Sequence, residues 1–123
     1  MKVAVAAQGR EMNSEIDPRF GRCPYFVLVD TETMQHEWFA NPGVTASGGA
    51  GMQTVQTLVK KGVSAVIVNN VGPNAIEGLK AAGIGVYSAV KGTVREAVEA
   101  FREGKLAPIE GATVFQHFGV GRS

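Results

Sequence analysis

The chain has 123 residues, 45% of them hydrophobic, and 12 Lys and Arg against 11 Asp and Glu give a formal net charge of +1. That size closes one core and leaves no room for a second domain, and so even a charge balance argues against a nucleic-acid surface built on phosphate neutralisation. No window approaches the roughly 18 uninterrupted apolar residues of a membrane span. The single cysteine excludes an internal disulfide framework, and Met1-Lys2 leads at once into an apolar run, so a cytoplasmic protein is expected.

Lys2 to Ala7 reads as a short strand broken by Gln8-Gly9-Arg10, and a long polar loop follows. Tyr25 to Val29 is apolar on both alternating faces, as a strand between two layers must be. Thr31 to Met34 turns it into Gln35 to Ala40, a hairpin. Its four-residue turn sets Val27 opposite Trp38 and brings Cys23 beside Pro42, at the open end. The strand carrying Trp38 offers an edge to a second copy, so a monomer or weak homodimer is expected.

Small residues from Asn41 to Gly51 lead into a helix in which Met52, Val55, Leu58 and Val59 recur at helical spacing, closed by Lys60-Lys61-Gly62. Ala65 to Val68 is a buried strand. Gly72-Pro73-Asn74 opens a second helix with Ile76 and Leu79, stopped at Gly83. Gly85 to Ser88 is the fifth strand. Thr93 with Glu96 forms a capping box for a third helix bearing Val94, Ala97, Val98 and Phe101, ended by Gly104. The pattern predicts a single α/β domain over 1–107, a three-layer fold with a five-stranded mixed sheet flanked by helices, and a weakly patterned tail over 108–123.

In this topology the loops at 8–24, 41–51, 69–74 and 88–93 gather at one rim, where all three helices begin. Helix N-termini offer free N–H groups and partial positive charge, and here they share the rim with Arg10, Arg19, Arg22 and Lys91. The expected ligand is an anion. Gly48, Gly49 and Gly51 would let backbone approach it, and Asn69, Asn70 and Asn74 could donate amide hydrogen bonds. Cys23, between Arg19, Arg22 and the strand, adds one soft donor whose thiolate the arginines would favour. The plainer reading is that Cys23 fills a loop and that the Gly and Asn clusters are ordinary turn chemistry.

Other chemistries lack their residues. Gly51 is followed by Met52-Gln53 rather than the Lys-Ser/Thr of a phosphate-binding loop, and no nucleophile elbow is present. Cys23, His36 and His117 are too few and scattered for a self-contained zinc site. His36 falls at the turn end of the hairpin and reads as a surface residue, whereas His117 lies in a tail that could fold back over the rim.

Asp17-Pro18-Arg19-Phe20-Gly21-Arg22-Cys23-Pro24-Tyr25-Phe26, the Gly48-Gly49-Ala50-Gly51 helix entry and the run Ala65 to Ala75 together resemble the dinitrogenase iron-molybdenum cofactor biosynthesis family. The likeness runs from Met1 to about Glu103. It implies a ribonuclease H-like fold and a carrier or assembly protein for an anionic iron-sulfur or molybdenum-containing sulfide cluster, with cluster donor and acceptor proteins as partners and no catalysis of its own. The family includes small carriers of nitrogenase cofactor precursors and a protein binding a molybdenum-copper sulfide cluster. Carried over by the resemblance are Arg19, Arg22 and Cys23 (the metal ligand), Gly48, Gly49 and Gly51, and Asn70, Gly72 and Asn74; Arg10 and Lys91 rest on topology. Two readings from other classes stay open: a thiol enzyme or redox protein using Cys23, and a regulatory module whose glycine-rich rim docks a protein.

Overall fold

Apolar β-branched runs and capped amphipathic stretches set the elements. A computed structural model describes residues 1–45, 50–89 and 91–111. The strands are β1 (Lys2–Ala7), β2 (Tyr25–Asp30), β3 (His36–Ala40), β4 (Ala65–Val68) and β5 (Gly85–Ser88), and the helices α1 (Ala50–Lys60), α2 (Pro73–Ala81) and α3 (Val94–Arg102). The five strands lie in the order β3-β2-β1-β4-β5. β2 runs antiparallel to β1 and β3, whereas β4 and β5 run parallel to β1. Each parallel join is a crossover through a helix, as the sequence requires.

Val27 pairs with Trp38, so the hairpin has the expected register. Its turn is fixed by the Asp30 carboxylate, whose Oδ1 accepts from the Glu32 N–H at 2.8 Å, and by Met34 in a left-handed conformation at φ 62°. β1, β2 and β4 are buried on both faces. One face packs Ala4, Ala6, Phe26, Leu28 and Val66 against Val55 and Leu58 of α1 and Ile76 and Leu79 of α2. The other packs Val3, Val5, Val27, Val29 and Ile67 against Val94 and Val98 of α3 and against Met12 and Ile16 of the first long loop. Full burial of each Val, Leu or Ile contributes about 1.5–3 kcal/mol, so this double-sided packing is what holds the rim's strand ends in place.

One expectation needs correction. Met52 and Val59 are 39% and 49% exposed, although their spacing put them on the buried face of α1. Thr54 is fully buried instead, because its hydroxyl donates at 2.6 Å to the buried Asn41 side chain. The chain also stays engaged beyond 107: the Ile109 N–H donates to the Val86 carbonyl at 2.8 Å, and Ile109 packs against the α1/α2 core. The alternation of β5 had no visible partner for that segment, so the sequence pattern broke off early. His117 lies outside the described residues.

Candidate functional site

Four loops meet at the carboxyl ends of β1, β4 and β5, and they are bonded to one another. The first long loop is tied to β1 by the Asp17 N–H donating to the Ala6 carbonyl at 2.8 Å. It is tied to the loop after β4 by the Phe20 N–H donating to Asn70 O at 3.0 Å, with Arg19 and Asn70 in a parallel bridge. Toward α3, the Ile16 N–H donates to Gly92 O at 3.0 Å. Toward the hairpin, the Asn41 N–H donates to Pro24 O at 3.0 Å. The sequence expectation that these segments share one rim is met by direct bonds.

The helix N-termini there are unequal. At α3 the Val94 and Arg95 N–H groups donate to Ser14 O and Met12 O at 2.9 and 2.8 Å, and the capping box of Thr93 and Glu96 completes the turn. That terminus is saturated by the protein, so Lys91 sits beside a closed helix end. At α2 the N-cap is Gly72, which supplies no side-chain bond, and Pro73 has no N–H. The Asn74 and Ala75 N–H groups donate to nothing among the described residues. A Cβ built on Gly72 meets no atom within 4 Å, so the approach to this terminus is open. The expectation of three available termini is therefore corrected for α3; the residues just before α1 are not among those described.

Arg19 is bridged through its backbone to Asn70, in the loop that leads to the Gly72 cap. Its Nε and Nη2 donate to the Asp17 carboxylate at 3.0 and 2.9 Å, and its N–H bonds the same carboxylate at 2.9 Å. Two of its five side-chain donors are thus spent, and with the side chain 57% exposed the rest face outward. Burial works to raise the Asp17 pKa, but the Arg19 side-chain and backbone bonds and its positive charge outweigh it, so the carboxyl is held below its ordinary value. Arg22 is exposed and makes no ion pair among the described residues.

Cys23 departs from expectation. It is fully buried, its Sγ lies 3.5 Å from the Phe20 carbonyl oxygen, and its pKa is pushed up to about 12. Burial is the main cause and the neighbouring Asp17 carboxylate adds to it, against a weaker opposing bond from Asn41. The arginines do not lower it, because Arg19 is turned onto Asp17 and Arg22 points to solvent. The arginine-activated thiolate expected of this loop is therefore not what the fold favours: Cys23 is a buried thiol whose surroundings hold it protonated at neutral pH. Among the described residues no group of three or more His, Cys, Asp or Glu is placed to hold a metal ion.

Two further expectations shift. Arg10 is not tied to the Arg19 and Asn70 group; its guanidinium lies 5.0 Å from the Trp38 ring centroid and 5.9 Å from that of Tyr25, on the hairpin. Cation–π attraction holds it there. Gly51 lies in the contact between α1 and α2, where an added Cβ would come to 3.2 Å from Ala75 Cβ, a tight approach that the absence of a side chain relieves. Gly48 and Gly49 fall outside the described residues. Asn69 accepts from the Ser88 hydroxyl at 3.4 Å.

Asn41 is the residue that sequence reasoning missed. Buried at the open end of the hairpin, its amide nitrogen donates to Cys23 O at 2.9 Å and to Phe20 O at 3.3 Å, and its Oδ1 accepts from the Gly43 N–H and the Thr54 hydroxyl. Continuing the hairpin register one step past Ala40 set Asn41 against Pro24, and that was the available signal.

The family profile described as dinitrogenase iron-molybdenum cofactor matches residues 1–104. The fold superposes with a TM-score of 0.88 on the apo form of the orange protein of Desulfovibrio gigas, at 39% identity over 92% of this chain and 96% of that one. It also matches the solution structure of a Thermotoga protein given as a candidate NifB, with a TM-score of 0.80 at 42% identity over 96% and 98% of the two chains. An uncharacterized protein of Methanocaldococcus jannaschii is 34% identical over 89% of this chain and 92% of its own length.

Proposed function

The chain belongs to the dinitrogenase iron-molybdenum cofactor family, and we propose that it is a carrier or assembly protein for an anionic metal-sulfur cluster, taken up at the rim between Arg19, Arg22 and the open start of α2. The observation that supports this reading is the Arg19–Asn70 backbone bridge, which joins the segment carrying a half-engaged guanidinium to the loop that opens the uncapped start of α2. A preassembled sulfide cluster presents negative charge and weak acceptor sulfurs, so it asks for oriented donors more than for ligating side chains. Asp17 holds Arg19 in place, and Arg22 contributes an unpaired charge. Asn70 and Asn74 supply donors, and Gly72 leaves the approach open. Gly48 and Gly49 are assigned to the same cradle, and Lys91 to its outer field. Cys23 acts from beneath, as a packed support for the loop.

The strand order β3-β2-β1-β4-β5 supports the ribonuclease H-like assignment that the family resemblance implies. Donor and acceptor proteins of a cluster pathway are the partners this reading asks for. No described helix is long and apolar enough to cross a membrane.

Tetrathiomolybdate and a reconstituted iron-sulfur cluster, each added without oxygen, test the reading. Expected are a charge-transfer band that stays with the protein through gel filtration and a rise in melting temperature. Arg22→Glu should weaken that binding at least tenfold by reversing an unpaired charge, whereas Cys23→Ala should retain it. Spectra and melting curves indifferent to both probes would remove the proposal.

A further inference from the structure

The two side strands of the sheet are finished differently. β5 is covered by its own chain: the Ser88 N–H donates to Ala107 O at 2.9 Å, the Ile109 N–H to Val86 O at 2.8 Å, and Pro108 bridges Tyr87. β3 has no such cover among the described residues. The phase of its ladder follows from two bonds, Asp30 N–H to Gln35 O and Asn41 N–H to Pro24 O, both at 3.0 Å. Gln35, Glu37, Phe39 and Asn41 therefore turn their backbone groups toward β2. By the alternation of antiparallel pairing, His36, Trp38 and Ala40 turn theirs outward.

Trp38, the only tryptophan, is 45% exposed and edge-on to Tyr25 at 5.6 Å between ring centroids. On the opposite face of β3, the Lys61 ammonium lies 5.5 Å from the Phe39 ring centroid, and the Glu37 side chain is 61% exposed with Lys2 at 3.8 Å. We propose that two copies of this chain pair β3 to β3, antiparallel about a two-fold axis at Trp38, to make one continuous sheet. Trp38 then exchanges both backbone bonds with Trp38 of the second copy, and His36 does so with Ala40 on either side. The outward set of each copy satisfies that of the other, as an isologous interface must.

Charge fixes the same register. With Trp38 on the axis, Glu37 lies across from Phe39 of the second copy and reaches the Lys61 ammonium above that ring. The contact is made twice. Slipping the pairing one way sets Glu37 against Glu37, a like-charge pair at the closest cross-strand distance. Slipping it the other way puts Pro42, which lacks an N–H, opposite His36.

Sedimentation equilibrium of the full chain from low micromolar to millimolar concentration, read beside the emission of Trp38, tests this. Expected is a monomer–dimer equilibrium in which the Trp38 emission moves to shorter wavelength in step with the dimer fraction. Glu37→Lys alone and Lys61→Glu alone should each weaken the dimer about tenfold, since each turns two attractive cross-pairs into repulsive ones. An equal mixture of the two variants should recover the native affinity, because the mixed dimer has both pairs matched. A monomer throughout the range would overturn the proposal. So would an emission independent of concentration, which is the result if the chain's own C-terminal residues or another partner occupies the edge. A mixture no tighter than its components would overturn it too.

Discussion

The two ends of the sheet are built on different principles. At the end away from the rim the turns are closed largely within a few residues: Gly62, Gly83 and Gly104 close α1, α2 and α3 at φ of 74°, 76° and 73°, and Asp30 organises the hairpin turn, with Ser64 and Thr31 N–H groups tied to Lys2 O and Met1 O. At the rim the local turns, such as Ser14 N–H to Glu11 O, are joined by bonds between one loop and another. Residues 21, 18 and 13 positions apart meet on the one Asn41 side chain, and Phe20 and Asn70 join across the sheet. Local closure makes an end rigid and interchangeable. Mutual closure makes an end whose shape depends on every segment.

Replacing Asn41 tests that contrast hardest. Asn41→Ala leaves the Cys23 and Phe20 carbonyls and the Thr54 hydroxyl without this partner inside the core, at a cost of about 3 kcal/mol. Urea denaturation should show that loss. Hydrogen exchange should accelerate first in the loops of the rim, and equal acceleration at the far turns would contradict the division into two ends.

Asp17→Asn comes next, at about 2 kcal/mol, since it weakens a bidentate pair to Arg19 with the carboxylate 1% exposed. The pH dependence has a defined sign. With its folded pKa held below the ordinary value, the carboxylate stabilises the native state above the unfolded pKa of about 4, and the gain is lost as pH falls through the folded pKa. Denaturation midpoints of the native chain should fall more steeply than those of the variant below about pH 4. Parallel curves would show that Asp17 is not held by Arg19 in solution.

Cys23 gives a smaller effect with the opposite pH sense. A thiol raised to about 12 stabilises the fold fully below the ordinary thiol range and progressively less as pH rises toward that value. Cys23→Ala should cost about 1.5 kcal/mol at neutral pH through lost packing. It should also remove part of the alkaline loss of stability. Alkylation of the native protein at neutral pH should be far slower than in urea; equal rates would restore the reactive thiolate that the flanking arginines suggested.

The same contrast explains what could be read in the sequence. Strand bounds for Ala65–Val68 and Gly85–Ser88, the capping box of Thr93 and Glu96 and the glycine stops depend on neighbours within four or five residues, and each appears as expected. Even the gathering of the rim followed, because topology fixes strand direction. What stayed hidden was the assignment of each polar group to its partner. Arg19 and Arg22 look equivalent around Cys23, yet one is spent on Asp17 and the other is free to solvent; α2 and α3 look equally open, yet Ser14 and Met12 close only α3. The closure of α3 comes from residues dozens of positions away, and Arg19 is claimed by a carboxylate only two positions before it, in a loop whose conformation the distant contacts set.

The smallest effect belongs to the far end. Gly83→Ala forces a side chain into a left-handed conformation and should cost about 1 kcal/mol, with no atom within 4 Å of the added Cβ to enlarge the penalty. Because the Gly83 N–H and its neighbours bond only within the α2 turn, the cost should appear as faster exchange at Ala82 to Ile84 and leave tetrathiomolybdate affinity unchanged. A variant at this position that altered ligand affinity while α2 stayed folded would mean that the far turn and the open N-terminus of α2 communicate along the helix. The two ends of the sheet would then be one mechanical unit, and the rim's dependence on its own loops would no longer account for its shape.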